Sequence, residues 1–110
     1  MKRLMYVECK DQGLDGPGRI GWVELSKSKR SYRYQDRLLQ KCVGYKYNCV
    51  DVETGTLYWV SGPKRDGRDK LYGGRVEIDA DARAEYWTVI RRQPERAAKS
   101  CFRAGQQQDG

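Results

Sequence analysis

Residues 45–61, YKYNCVDVETGTLYWVS, carry the strongest fold signal in the chain. Two β-rich runs, 45–52 and 56–61, flank Glu53-Thr54-Gly55. A three-residue loop with glycine where a left-handed residue is wanted marks a β-hairpin. Parity within the first run adds a constraint. Tyr45 and Tyr47 share one face, whereas Val50 and Val52 fall on the other, because strand side chains alternate with period two. A bulge near Asn48-Cys49 keeps one apolar face across that switch, and bulged, bent strands suit a small closed barrel. The competing reading is a strand buried on both faces, which a chain of 110 residues rarely supplies.

Working toward the N-terminus, residues 31–43 read as a second hairpin turning at Asp36-Arg37, without the glycine that favours a tight primed turn. Residues 19–26 (RIGWVELS) and 4–9 (LMYVEC) read as strands, separated by the turn-rich DQGLDGPG of 11–18. Toward the C-terminus, residues 62–74 (GPKRDGRDKLYGG) hold four glycines and a proline and read as a loop. Val76-Glu77-Ile78 returns as a short strand. Asp79 then suits the N-cap of a helix over about residues 80–92, with Tyr86, Val89 and Ile90 on one face, Ala82 above them and Trp87 at the margin. Pro94 stops it, and residues 95–110, without periodicity, are expected to form a disordered tail.

These elements predict a mostly β fold with one C-terminal helix (α+β): a small curved antiparallel sheet or SH3-like barrel of five to six strands. Residues 1–94 form the single β-rich domain. Trp22, Trp59, Ile78, Tyr86 and Ile90 are expected to bury together.

Composition narrows the function. Lysine and arginine total 22 against 15 acidic residues, a net charge of +7. The excess is spread evenly, 11 against 7 in residues 1–60 and 11 against 8 in 61–110. Such a balance attracts polyanions at long range without specifying a fold. No apolar run approaches the ~20 residues that span a bilayer, and the four-residue apolar stretch before Glu8 is too short for a signal-peptide core. The expected location is therefore cytoplasmic, with no membrane partner. In that reducing setting Cys9, Cys42, Cys49 and Cys101 are expected as free thiols; they contain no C-x-x-C spacing, and no histidine completes a zinc site. The absence of histidine also removes Ser-His-Asp and Cys-His catalysis. The acids Glu77, Asp79, Asp81 and Glu85 cluster where a strand end and a helix start would solvate them. The chain is read as a non-enzyme needing no cofactor.

Gly16-Pro17-Gly18-Arg19-Ile20-Gly21-Trp22-Val23 matches G-x-G-x-x-G. The dinucleotide fingerprint requires a helix after it, and here a strand follows, so the glycines are assigned to a turn. Two basic segments remain, 27–37 (KSKRSYRYQDR) and 62–75. Both interleave cations with tyrosines (Tyr32, Tyr34, Tyr72), a combination that holds phosphates and stacks bases. The binding candidates are Lys27, Lys29, Arg30, Arg33, Lys64, Arg65, Arg68, Lys70 and Tyr72. The plainer alternative is that Tyr32 and Tyr34 face the core, leaving Arg33 on a solvated face, and that Asp66 and Asp69 pair locally with the loop cations.

The strings Asp51-Val52-Glu53-Thr54-Gly55, Tyr58-Trp59-Val60-Ser61-Gly62, Lys64-Arg65-Asp66-Gly67-Arg68-Asp69-Lys70-Leu71-Tyr72 and Glu85-Tyr86-Trp87 occur in that order. In this the chain resembles a family of small uncharacterised bacterial proteins with the pattern D-V-E-T-G…Y-W-[IV]-S-G…D-G-x-D-[KR]-L-Y…E-Y-W, over about residues 1–95. Asp36 stands where that family's hairpin turn would carry glycine. The resemblance implies a bacterial cytoplasmic protein and carries no activity with it.

The leading expectation is a basic binding module contacting nucleic acid with low sequence specificity. A protein-interaction module (an inhibitor, antitoxin or immunity-type partner) using the 62–74 loop and a sheet edge is the alternative. A binder of a small anionic ligand at that loop is the third.

Overall fold

In the computed structural model, which describes residues 1–11, 16–70 and 73–104, strand β1 (Lys2–Cys9) is buried on both faces. Its apolar run Leu4-Met5-Tyr6-Val7 explains why. Alternation sends Met5 and Val7 into one hydrophobic cluster and Leu4 and Tyr6 into another. The chain thus builds two cores.

The first core fills a barrel. β2 (Gly18–Leu25), β3 (Ser31–Tyr34), β4 (Arg37–Lys41), β5 (Cys49–Asp51) and β6 (Leu57–Ser61) follow β1 as an antiparallel meander. β6 returns to pair with β1, Tyr6 opposite Ser61 and Cys9 opposite Tyr58, which closes six strands. Closure removes the exposed edges that a short meander would otherwise present. Met5, Val7, Val23, Leu25, Tyr32, Tyr34, Leu39, Cys49, Tyr58 and Val60 fill the interior.

The second core lies outside the wall formed by β1 and β2. β7 (Gly74–Ile78) pairs with the first half of β2, Gly18 opposite Val76 and Ile20 opposite Ile78, and β8 (Cys101–Ala104) pairs with β7. The sheet therefore has eight strands where five to six were expected, and the β2–β7 pair is parallel, so the sheet is not wholly antiparallel. A helical segment over residues 80–90 covers this layer. It tightens at Ala80–Ala82, makes one α turn at Arg83–Glu85 and widens at Tyr86–Ile90, where Arg91 N donates to Tyr86 O at 3.0 Å. Tyr86 and Trp87 are fully buried against Leu4, Tyr6, Ile20, Val76 and Ile78. Of the five residues expected to bury together, Ile78 and Tyr86 do so completely, while Trp22, Trp59 and Ile90 pack on the same cluster partly buried.

Three sequence expectations are corrected here. The strand expected over 45–52 shrinks to Cys49–Asp51. Just before it, Asn48 N donates to Tyr58 O although Tyr58 is the register partner of Cys49, and the Asn48 side chain enters the ladder, its Nδ2 donating to Val60 O and its Oδ1 accepting from Val60 N, both at 2.8 Å. The hairpin turns at Gln35-Asp36, with Gln35 at a φ of 54°, one residue earlier than expected. Residues 95–104 are not a structureless tail: Pro94–Arg96 forms a turn and Cys101–Ala104 forms β8. Phe102 stacks on Tyr86, centroids 5.4 Å apart, and a four-residue strand with one such anchor shows no periodicity to read. Residues 105–110 lie outside the described residues.

The glycine motif is structural. A Cβ on Gly18 would stand 2.5 Å from the Tyr6 hydroxyl, and one on Gly21 would stand 2.3 Å from Asp79 Oδ2 and 2.6 Å from the Tyr34 ring. Gly21 sits at a fork, where β2 leaves β7 and takes up β3 at Glu24 and Leu25. Through that gap the Tyr34 hydroxyl donates to Asp79 Oδ2 at 2.6 Å, while Arg19 Nε donates to Asp79 Oδ1 at 2.8 Å. Asp79 was expected as an N-cap, yet its side chain makes no cap bond and instead pins the fork. Burial, then the bond to Asp79, pushes the Tyr34 hydroxyl pKa well above its ordinary value. A hydrogen bond to a charged group contributes about 1.5–3 kcal/mol. Tyr34→Phe should therefore lower unfolding free energy in urea by about that amount, and Gly21→Ala by at least as much. An unchanged midpoint for Tyr34→Phe would show that the fork does not depend on this junction.

Candidate functional site

The K-R-D-G-R-D segment that follows β6 owes its shape to its acids. Asp69 Oδ1 accepts from Lys64 N at 2.7 Å, Asp66 Oδ1 accepts from Arg68 N at 3.0 Å, and Gly67 N donates to Lys64 O at 3.2 Å. Gly67 adopts a φ of 76° and lies against the guanidinium of Arg91, so a Cβ there would stand 2.6 Å from Nη1. Arg91 is itself fixed. It lies over the rings of Tyr86, Trp87 and Phe102, at 5.9, 5.0 and 5.1 Å from their centroids, and donates to the Tyr86 hydroxyl. The wide turn at Tyr86–Ile90 delivers Arg91 to that position, so the outer core supports the loop.

Between this loop, the outer face of β1 and β6, and the β4–β5 connection lies a cleft of about 280 Å³. Trp59 and Glu8, cross-strand partners, and Ser61 line it from the strands. Trp59 Nε1 donates to Ser61 Oγ at 3.1 Å. Four cations join them: Lys10 from beyond β1, Lys46 from the β4–β5 connection, and Lys64 and Arg68 from the loop. Glu8 is buried and accepts from Tyr6, Lys10 and Gly16 N, so one lining acid is already matched to a lysine.

The second lining acid is Asp69, only 7% exposed. Its Oδ2 is buried without a hydrogen-bond partner. Burial pushes its carboxyl up to about 6, against the Lys64 N bond and the nearby Arg91 charge, which act in the opposite sense. With four cations against two acids the cleft keeps an excess of positive charge beside the partly buried Trp59 indole, a setting that attracts an anionic ligand with a planar group.

Only part of the anticipated binding set meets here. Lys64 and Arg68 line the cleft. Arg65 is exposed on the same loop outside it. Lys70 is buried, a correction to its assignment as a surface contact, its aliphatic stem lying close to Gly74. Tyr72 lies outside the described residues. Lys27, Lys29 and Arg30 sit in the exposed β2–β3 turn, and Arg33 is exposed on β3, none of them lining the cleft. Tyr32 and Tyr34 are barrel-core residues, so the plainer reading of that segment holds and no stacking surface exists there. Asp66 and Asp69 accept from backbone N–H groups, and the ion pair between Arg68 and Asp66 is loose and exposed at 3.8 Å.

Lys10, Lys46, Trp59, Ser61 and Asp69 were not anticipated. Tyr45-Lys46-Tyr47 carries the same basic–aromatic interleaving that drew attention to residues 32–34, and was the available signal. Among the described residues, no three His, Cys, Asp or Glu side chains gather as metal ligands would, and no helix is long and apolar enough to cross a membrane. No family model, curated protein or solved structure matches the chain.

Asp69 makes the loop sensitive to pH. Its folded-state pKa is raised from 3.8 to about 6, so the stability it contributes is complete below the lower value and is lost as pH rises through the upper one. In pH-resolved denaturation, wild type should lose on the order of 1–3 kcal/mol relative to Asp69→Asn between about pH 4 and pH 7. Parallel curves for the two proteins would mean that Asp69 keeps an ordinary pKa.

Proposed function

We propose that this chain is a non-catalytic basic module whose cleft holds nucleic acid with low sequence specificity. The observation that carries the reading is the assembly of Lys46, Lys64 and Arg68 around the partly exposed Trp59, beside Lys10, which is held by Glu8. Cations along a groove bind successive phosphates, and an aromatic face stacks whichever base lies against it. The 80–90 segment suits no major-groove role: it is only three short turns, and its Tyr86 and Trp87 are committed to the outer core. Loops and strands are left to make the contact, which favours single-stranded or irregular nucleic acid over duplex.

The setting proposed with this function is a bacterial cytoplasm, in keeping with the D-V-E-T-G…Y-W-V-S-G…D-G-R-D-K-L-Y…E-Y-W pattern. Likeness to SH3-type domains is proposed as one of size and barrel curvature, and of use as a binding platform without chemistry. A protein partner is the second reading. It is favoured by β8, the outermost strand of the sheet, which offers an edge for strand addition.

Titration of fluorescently labelled single-stranded and duplex oligonucleotides at several salt concentrations tests the proposal. Wild type should bind single strands with an affinity that falls steeply with salt, each neutralised phosphate contributing about −0.7 to the slope of log K against log salt. Lys64→Ala with Arg68→Ala should weaken all sequences alike and flatten the slope by about 1.4. Lys27→Ala with Lys29→Ala should do much less. Absence of binding at protein concentrations on the order of 100 µM, the weak end of non-specific affinity, would reject this function and direct attention to a protein partner.

A further inference from the structure

Among the described residues, the most exposed apolar side chains outside the chain start lie in one place, the connection between β4 and β5. Val43 is 99% exposed and Tyr45 73%. The connection is nevertheless firmly held. Cys42 N donates to Asn48 O at 2.9 Å, Asn48 N donates to Tyr58 O at 3.0 Å, and the Asn48 amide clamps Val60 from both sides. Tyr47 folds back across Gly44, where a Cβ would stand 1.9 Å from its ring. One tyrosine of the Tyr45-Lys46-Tyr47 triplet is thus packed down and the other is held out. The residue between them, Lys46, takes a left-handed φ of 66°, a conformation that lysine seldom adopts, and it both lines the cleft and places its Nζ 5.4 Å from the Tyr45 centroid. Exposed Tyr45 is therefore the neighbour of a lining residue of the basic cleft, in sequence and through that lysine's contact with its ring.

We infer that Tyr45 is a base-stacking residue for single-stranded nucleic acid, extending the Trp59 cleft into a path for at least two successive bases with Lys46 between them. The inference rests on the proposed nucleic-acid function and adds which residue engages the bases. Charge complementarity commits the occupant: the connection begins beyond Lys41, contains Lys46 and abuts Lys64 and Arg68 across the cleft, so a ligand on Tyr45 must also satisfy cations. A strand with anionic phosphates and flat bases does both. A duplex, with its bases stacked internally, offers Tyr45 no ring face.

The test compares wild type, Tyr45→Ala, Tyr45→Phe and Lys64→Ala/Arg68→Ala by fluorescence anisotropy. Each is titrated with labelled single-stranded ten-nucleotide DNA, its abasic counterpart and a duplex. Loss of stacking on one aromatic ring weakens binding by about tenfold. Tyr45→Ala should show that loss on the base-bearing strand and none on the abasic strand, with Tyr45→Phe close to wild type. Equal weakening on both strands, or no weakening while Lys64→Ala/Arg68→Ala still loses affinity, would overturn the stacking role and leave the nucleic-acid function standing. Failure of wild type to bind any strand would remove both. Tyr45-dependent capture on vesicles of anionic lipid, with no strand binding, would reassign the connection to a membrane surface.

Discussion

One carboxylate at the end of β7 holds together parts of the chain that are far apart in sequence. Asp79 receives Arg19 from β2 and Tyr34 from β3 at the point where β2 exchanges one neighbouring strand for another. Without that junction β2 has two incompatible obligations, since its first half belongs to the outer layer and its second half to the barrel. Gly21 leaves the space in which the contact forms. From the same place Asp79 leads directly into the 80–90 segment, so the covering of the outer core starts from a fixed point. A glycine pattern that resembles a phosphate-binding loop is in this chain a set of close approaches between strands and rings.

The site depends on that arrangement at one remove. The outer layer places Tyr86, Trp87 and Phe102, these rings seat Arg91, and Arg91 backs the Gly67 turn that carries Lys64 and Arg68 to the cleft. The cations themselves are solvated and contribute little to stability. Their direction comes from the aromatic cluster beneath them and from Asp69, whose bond to Lys64 N keeps the loop closed at the cost of an unmatched buried oxygen.

Much of the strand content was legible because it rests on local signals. The Glu53-Thr54-Gly55 hairpin, the β2 run and the small closed barrel follow from turn chemistry and alternation. Asp51 adds a local staple there, its carboxylate accepting from Glu53 N at 2.9 Å and from Arg37. What was not legible is non-local. The parallel β2–β7 pair and β8 need a crossover from Ser61 to Gly74 that no short window contains. Asp79 looks like an N-cap to any local reading because its true partners are 60 and 45 residues away. Lys10 and Lys46 reach the cleft from opposite sides of β6, and tyrosines 32 and 34 resemble 45 and 47 in sequence although closure of the barrel buries the first pair and displays Tyr45.

The double-sided burial of β1 also bears on the order in which the protein is made. The six barrel strands are complete once Ser61 has been synthesised, and apart from the closure of β6 on β1 every strand pairing among them joins sequence neighbours. Apart from Trp59, the residues that cover Leu4, Tyr6, Ile20 and Trp22 on the outer face lie between Val76 and Ala104. At ordinary elongation rates those residues follow Ser61 by on the order of several seconds. During that interval a nascent barrel would carry a bare apolar wall, which is the kind of surface that ribosome-associated chaperones engage. Translation speed through the arginine-rich stretch after the helical segment would then set how long the half-finished molecule is exposed to aggregation, independently of the stability of the finished one.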